Sequence, residues 1–380
     1  MIRRTVALTG LAIAGIWTAS AAQAQDIVIP NIIELSGGGA TVGAMWKNGS
    51  TMAVEEINAS GGILGKKIKL EFIDTASDPG KARAAMQRAL DDKPIAIFGP
   101  IYSGSVSATL KLTADAEVPQ VMGGEAGPLT AQGSKYIFRT SFGQNVSMPK
   151  IANYLRDGVK AKTVAVVFVN NDFGKGGRDA IVKELASRDI KVVADVSTEA
   201  GQADFAADVI KVKGANADAV FVYLNEEESA RFLREARKQG VSVPLIGETT
   251  LLGQKVIDLA GDAANGARGH VGLSADIPVP AVAEFKNKFN ARFKYVPDHN
   301  GIKGYTGVYA AAYATGKLGK LDRKALAASL HGMTIAPKDE PGILIETTWD
   351  AKGDIDRVSY VAEVVNGKQT ITGELPKLGK

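Results

Sequence analysis

The sequence has no cysteine, only three histidines in 380 residues, and few aromatics (6%). Without cysteine there is no disulfide, no thiol nucleophile and no lipid anchor attached through one. Stability has to come from core packing. His270, His299 and His331 lie far apart, without the spacing of a metal site, and each is expected to be an ordinary surface or boundary residue. No serine sits in a Gly-x-Ser-x-Gly elbow. An excess of one charge is missing too: 45 Lys and Arg face 41 Asp and Glu, a net of +4, and two of the positive charges are Arg3 and Arg4. That balance gives no electrostatic case for nucleic acid or an anionic membrane surface. No catalytic residue, metal or cofactor is expected.

Long apolar runs are also scarce. Val6 to Trp17 is an uncharged apolar stretch behind Arg3 and Arg4, and Ala22-Gln23-Ala24 has a small-x-small form. This pattern predicts a secretory signal peptide over 1–24, cleaved after Ala24. The run falls short of the ~20 apolar residues of a spanning helix, and no later segment approaches that length. The remaining chain is long enough for two substantial cores.

What the chain does have is alternation. Ile27–Ile33 reads as a strand, about Val42 to Ala59 as a helix stopped by Gly61-Gly62, and Lys67–Asp74 as a strand. Asp78-Pro79 starts a helix to about Asp91, because proline suits a first helical position. Ile95–Phe98 is a short strand and Ser103–Ala116 a helix. A second series starts near Thr163: strand Val164–Val169, helix Phe173–Ser187, strand Lys191–Ser197, helix Asp204–Lys213, strand Ala219–Tyr223, helix Glu226–Gln239, strand Leu245–Gly247. Ile137–Asn145 carries the chain between the two. The order predicts an α/β protein of two doubly wound, mostly parallel sheets with a cleft between the lobes. Ligands in such sheets bind beyond the carboxyl ends of the strands.

Gly61 to Lys67 only faintly matches a phosphate loop, lacking the first glycine and the Ser or Thr after the lysine. Gly37 to Gly43 follows a strand like a dinucleotide turn, but Val42 stands at the third glycine position. Five polar strand ends remain. In Gly99-Pro100-Ile101-Tyr102-Ser103-Gly104-Ser105 a helix opens, so its free N–H groups and Ser103 suit an anionic group, or Ser103 is a plain cap. The others are Gly123-Gly124-Glu125-Ala126-Gly127-Pro128, Asn170 to Gly174, Leu224-Asn225-Glu226 and Gly247-Glu248-Thr249.

The blocks Glu55-Glu56-Ile57-Asn58-Ala59-Ser60-Gly61-Gly62-Ile63-Leu64-Gly65, Asp74 with Asp78-Pro79, and Gly99 to Ser103 carry a resemblance. So do Pro128-Leu129-Thr130, Phe138-Arg139-Thr140, Asp172-Phe173-Gly174 and Ala260 to Gly266. Over nearly all the chain after the leader, the sequence resembles the type I periplasmic solute-binding proteins of branched-chain amino acid (Leu/Ile/Val) ABC transporters. The resemblance implies two lobes joined by three crossing segments, with the ligand in the cleft and hinge closure upon it. It implies docking on a membrane permease, a periplasmic location, and a monomer. In the family a serine matching Ser103 holds the ligand carboxylate, aided by the next turn, here Gly124-Glu125-Ala126 without the family threonine. The ammonium-binding aspartate falls at Gln144, a second acidic residue at Glu248 or Thr249, and two tyrosines at Phe173 and near Asn225. A lost charge at Gln144 weakens ammonium capture unless Glu125 or Glu248 substitutes, so Glu125 is expected to face the cleft. Tyr102, Trp46 and Phe173 offer aromatic walls for an aromatic or keto acid instead, although Trp46 suits core packing equally. The candidate site is thus Tyr102, Ser103, Gly124, Glu125, Ala126, Gln144, Phe173, Asn225 and Glu248, with Val42, Trp46 and Thr249 beside it.

The lobes are expected over 25–143 with 275–345, and over 144–274 with 346–380. A solute receptor for an amino acid leads. A sensory or regulatory relative and an exported enzyme are rivals, the first disfavoured by the leader and the second by the missing nucleophile–base pair.

Overall fold

The computed structural model describes residues 25–379, so the expected leader, 1–24, lies outside the described residues. The first series runs β1 (Ile27–Ile33), α1 (Ala40–Ala59), β2 (Ile68–Asp74), α2 (Pro79–Asp91), β3 (Ile97–Phe98), α3 (Ser103–Asp115), β4 (Gln120–Met122), α4 (Pro128–Ala131) and β5 (Ile137–Arg139). Its five strands form one parallel sheet in the order β2-β1-β3-β4-β5. Parallel strands are covered on both faces, which is why β1 reads as a near-continuous apolar run. One face packs Met86 and Ala85 of α2 against Ile32 and Ile97. The other packs Trp46 and Met52 of α1 against Ile33, Phe98 and Val121. Asp78 accepts from the Lys81 N–H at 2.7 Å, so the Asp-Pro pair starts α2 as its chemistry demands.

The second series runs α5 (Gln144–Tyr154), β6 (Thr163–Val169), α6 (Asp172–Ala186), β7 (Lys191–Thr198), α7 (Ala206–Gly214), β8 (Ala219–Tyr223), α8 (Glu226–Lys238), β9 (Leu245–Gly247), α9 (Gln254–Ala260) and β10 (Arg268–Val271). The chain then returns to the first lobe as α10 (Pro280–Phe293), α11 (His299–Leu318), α12 (Arg323–Leu330), β11 (Thr334–Ile335) and β12 (Thr347–Thr348). It ends as β13 (Ser359–Val365) and β14 (Lys368–Leu375). The second sheet has seven strands, ordered β14-β13-β10-β9-β8-β6-β7. It is parallel from β7 to β10, but β13 and β14 add an antiparallel hairpin at its edge. The mostly parallel sheets expected from the sequence are present, with this hairpin as the antiparallel addition. Asn366-Gly367, both at positive φ, forms the tight turn that makes this hairpin possible. No helix among the described residues is long and apolar enough to cross a membrane.

The expected crossing at Ile137–Asn145 narrows to 140–143, between β5 and α5, because Ile137–Arg139 pairs into the first sheet and Gln144 opens a helix. The second crossing joins β10 to α10. The third is later than the expected change at 346. Trp349 and Ile355 pack with Phe138 and Leu326 of the first lobe, so the chain leaves that lobe only after Ile355.

Two close contacts set the geometry near the cleft. A Cβ at Gly49 or at Gly304 would strike backbone of the facing helix, so glycine lets α1 and α11 pack backbone to backbone. That approach brings the start of α11 to the cleft. Arg139 ties the crossings together. It is fully buried, ion-pairs through Nε with Asp354, and its own carbonyl accepts from Trp349 Nε1 at 2.8 Å. Asp354 also accepts from Thr130 Oγ1 at 2.6 Å and from Asn145 Nδ2, on the second-lobe helix α5, at 3.1 Å.

Removing one member of a buried ion pair leaves an uncompensated charge, a loss of about 3–5 kcal/mol. Asp354→Ala is therefore expected to lower unfolding stability by that amount in urea titrations. A loss below about 1 kcal/mol, the scale of an exposed pair, would contradict this reading of Asp354.

Candidate functional site

The strand ends of both sheets converge on one cavity of about 430 Å³. Behind its first-lobe wall lies Glu34, just beyond β1. Glu34 is fully buried, and its carboxylate accepts from the N–H groups of Ile101 at 3.1 Å and Tyr102 at 3.3 Å. It thereby fixes the turn that leads into α3. Burial pushes its carboxyl up to about 7, against the opposing pull of those hydrogen bonds and one from Ser105. Ser103 is the first residue of α3 rather than its cap; Tyr102 holds the cap position and makes no side-chain capping bond. Ser103 Oγ instead accepts from the N–H groups of Glu125 at 3.3 Å and Ala126 at 3.2 Å. Its own O–H stays available to donate.

The loop Gly123–Gly127, after β4, is held from behind. Arg139 donates to the carbonyls of Gly124 and, at 2.6 Å, Ala126. Gly124 and Ala126 are therefore supports rather than lining residues; Gly123 and Glu125 line the cavity. The Glu125 carboxylate faces the cleft as expected, but it is not free to neutralise a ligand: Lys303 Nζ, on α11, sits 2.6 Å away. Burial raises the Glu125 carboxyl, and Lys303 pulls it back down.

The second-lobe wall holds Phe173, Asn225 and the three glutamates Glu226, Glu227 and Glu228. Asn171 caps α6 by accepting from the Gly174 N–H at 2.9 Å, which seats Phe173. The Phe173 ring stacks on Tyr223 with centroids 4.2 Å apart. Glu228 accepts from the Gly201 N–H at 2.6 Å and from Asn225 Nδ2 at 3.3 Å. Burial pushes the Glu226 carboxyl up to about 8.

Val42, Tyr102, Ser103, Glu125, Phe173 and Asn225 thus share one cavity. Four other expected residues do not line it. Gln144 is buried between the lobes with its amide fully used: Oε1 accepts from the Gly127 N–H at 3.0 Å, and Nε2 donates to the Phe173 carbonyl at 2.7 Å and Tyr223 Oη at 3.1 Å. Glu248 is not among the cavity's lining residues: its Oε1 lies 3.1 Å from His270 Nδ1 and 3.1 Å from Thr249 Oγ1, and its buried Oε2 has no partner. Thr249 Oγ1 in turn accepts from the Gly272 N–H at 3.2 Å. Burial pushes Glu248 up to about 7 and His270 down to about 3. Trp46 is core: it is 1% exposed and donates from Nε1 to Asn31 Oδ1 at 3.1 Å.

The residues that sequence reasoning missed include a group from the start of α11. His299, Asn300 and Lys303 line the cavity. His299 and His270 are both buried, contrary to the expected surface role. The available signal was the Asp298 cap with His299 and Lys303 four apart, on one helix face. Lining the cavity, one lysine stands against four glutamates.

The model of the periplasmic binding protein family matches residues 26–369. A leucine-, isoleucine-, valine-, threonine- and alanine-binding protein of Pseudomonas aeruginosa is 28% identical, covering 92% of both chains. The branched-chain amino acid transporter substrate binding protein LivJ of Streptococcus pneumoniae, solved with isoleucine, is 26% identical. It has a TM-score of 0.84 over 92% of this chain and 99% of its own. A solute binding protein of an ABC transporter from R. palustris, solved with benzoate, shares the fold with a TM-score of 0.85 at 20% identity, over 93% and 98% of the two chains.

Glu34 has a pH signature. A carboxyl raised from 4.5 to about 7 on folding contributes its stability below pH 4.5 and loses it as the pH climbs through about 7. Glu34→Gln mimics the protonated form. Its stability relative to the parent is expected to improve by about 3 kcal/mol between pH 4.5 and pH 7.5 in urea titrations. A difference that stays constant with pH would contradict the assignment.

Proposed function

The chain belongs to the periplasmic binding protein family, and on that premise we propose that it is the solute receptor of an ABC importer, capturing an amino acid or a related carboxylate. The observation that carries this reading is the cavity itself: Tyr102, Ser103 and Lys303 of one lobe and Phe173, Asn225 and Glu226 of the other line a single space of small-molecule size. A ligand held there contacts both lobes at once, so binding favours the closed arrangement of the hinge. Closure removes water and strengthens every polar contact inside.

Ser103 is the proposed carboxylate anchor. Its O–H donates forward while its oxygen is held by the amides of Glu125 and Ala126. The N–H groups at the start of α3 add donors, and the dipole of this 13-residue helix favours an anion. The partners of Ser103 Oγ are amides rather than a general base, an arrangement suited to holding a ligand. The Tyr102 and Phe173 rings, from opposite lobes, also suit a carboxylate with an aromatic or keto body, the second reading. The protein works in the periplasm after export by its leader, as a monomer that delivers its solute to the membrane permease of the importer.

Isothermal titration with the twenty L-amino acids and a set of aromatic and 2-oxo acids tests this. One such carboxylate is expected to bind without turnover. Ser103→Ala is expected to weaken it about tenfold or more, the worth of one hydrogen bond to a charged group. Turnover of the ligand, or the failure of every carboxylate to bind, would overturn the reading.

A further inference from the structure

We propose that the Phe142 ring is the bearing of the hinge: two buried cations rest on it, and it sets the balance between open and closed lobes. This rests on the reading of the chain as a two-lobed receptor and adds which contact governs its closure. Each crossing contributes one residue to that contact. Phe142 lies in the first crossing and is buried. Gly272 opens the second, and a Cβ there would strike the Phe142 ring, so the ring lies directly against the glycine backbone. Arg357 lies in the third, between Ile355 and β13, with its guanidinium carbon 5.5 Å from the Phe142 ring centroid. Its Nη1 donates to Thr347 Oγ1 of the first lobe at 2.9 Å, and its Nη2 to the Gly272 carbonyl at 3.4 Å. The second lobe adds Lys150 on α5, with Nζ 4.9 Å from the same centroid. It also adds His270 on β10, whose ring meets Phe142 edge to face at 5.5 Å.

The two cations have no other good partner. Lys150 and Arg357 are each 2% exposed. The Arg357 partners are neutral, and its Nε has none among the described residues. Lys150 Nζ donates to the Arg357 carbonyl and to Ser359 Oγ, both at 2.9 Å, while Asp356 Oδ1 is 3.7 Å away. Buried charges paired this weakly are costly. The compensation the fold supplies is the Phe142 face, because a cation within ~6 Å of a ring centroid is attracted to it, most strongly when desolvated.

The kind of contact matters for a hinge. A hydrogen-bonded ion pair weakens steeply as its angles change, so Arg139 and Asp354 hold one geometry. The attraction of a cation to a ring face has no such narrow angle, and Gly272 has no side chain to catch on the ring. The first-lobe ends of the crossings are therefore fixed, while their second-lobe ends turn on Phe142 with both cations still covered. Without the ring, Lys150 and Arg357 need water, and water enters only if the crossings part. That favours the open lobes. A receptor whose closed arrangement is less populated binds its solute more weakly by the same factor. Phe142 does so from outside the solute cavity, which it does not line.

The test uses the mature protein and two readings. The chain has no cysteine, so Lys81→Cys on α2 and Lys211→Cys on α7, both exposed positions, take spin labels there alone. The first reading is the distance distribution between those labels without solute. The second is calorimetric affinity for whichever L-amino acid or aromatic acid binds the parent most tightly. Phe142→Leu is expected to shift the distances toward a wider opening and to weaken that probe about tenfold. Adding Arg357→Met, which removes the stranded guanidinium, is expected to bring the affinity back within about threefold of the parent. Gly272→Ala, which pushes the ring off its seat, is expected to shift the distances as Phe142→Leu does, and it carries the comparison if Phe142→Leu does not fold. Melting temperatures without solute report on folding separately. A lowered melting temperature with unchanged distances would make Phe142 ordinary core and overturn the inference. So would a double variant no nearer the parent than Phe142→Leu. If no carboxylate binds the parent, the receptor reading itself fails, and the distances still decide on Phe142.

Discussion

Arg139 and Asp354 form the contact on which the rest depends. The pair is buried, and it joins the residue just before the first crossing to the segment that precedes the third. The same guanidinium holds the carbonyls of Gly124 and Ala126, so the loop that presents Glu125 is anchored to the hinge itself. Asp354 reaches across to Asn145, the second residue of the second lobe's helix α5. A buried pair of this kind adds little net stability over an apolar replacement, but it enforces one geometry. Here the geometry it enforces is the alignment of the Glu125 and Ala126 amides on Ser103, the arrangement that suits an incoming carboxylate.

The electrostatics of the cavity follow from what is already paired. Lys303 arrives from α11 only because glycines let α11 lie directly on α1, and it neutralises Glu125. Gln144 does the work of a strut: one end meets the first lobe at Gly127, the other the second lobe at Phe173 and Tyr223. It therefore couples the seat of the Phe173 ring to the loop around Glu125.

The regular part of this fold was legible in the sequence. Short apolar runs give β1, β3, β6 and β8, and the Asp78-Pro79 pair gives the start of α2, because these signals are local. The polar strand ends at Tyr102-Ser103, Glu125 and Phe173 were legible for the same reason: a parallel sheet delivers its strand ends to one edge. Lys303 and His299 were not, since their meeting with Glu125 and the cavity depends on how a distant helix packs, and no local pattern carries that. The hints were Gly301 and Gly304, on one face of α11 and meaningful only once α1 is known to lie against them. Trp46 and Glu248 misled in opposite ways. An aromatic on the inner face of a helix is satisfied by Asn31 in the core, and an acid at a strand end turns one of its oxygens to His270 on β10.

The central claim is that a solute carboxylate sits on Ser103 in the cavity that both lobes line. A crystal structure of the protein with its bound solute tests that most directly. The account predicts the solute carboxylate on Ser103 Oγ and the opening N–H groups of α3, with the Lys303–Glu125 pair intact. A solute lodged instead in the pocket lined by Tyr305, Tyr309 and Glu56 on the first lobe would contradict it.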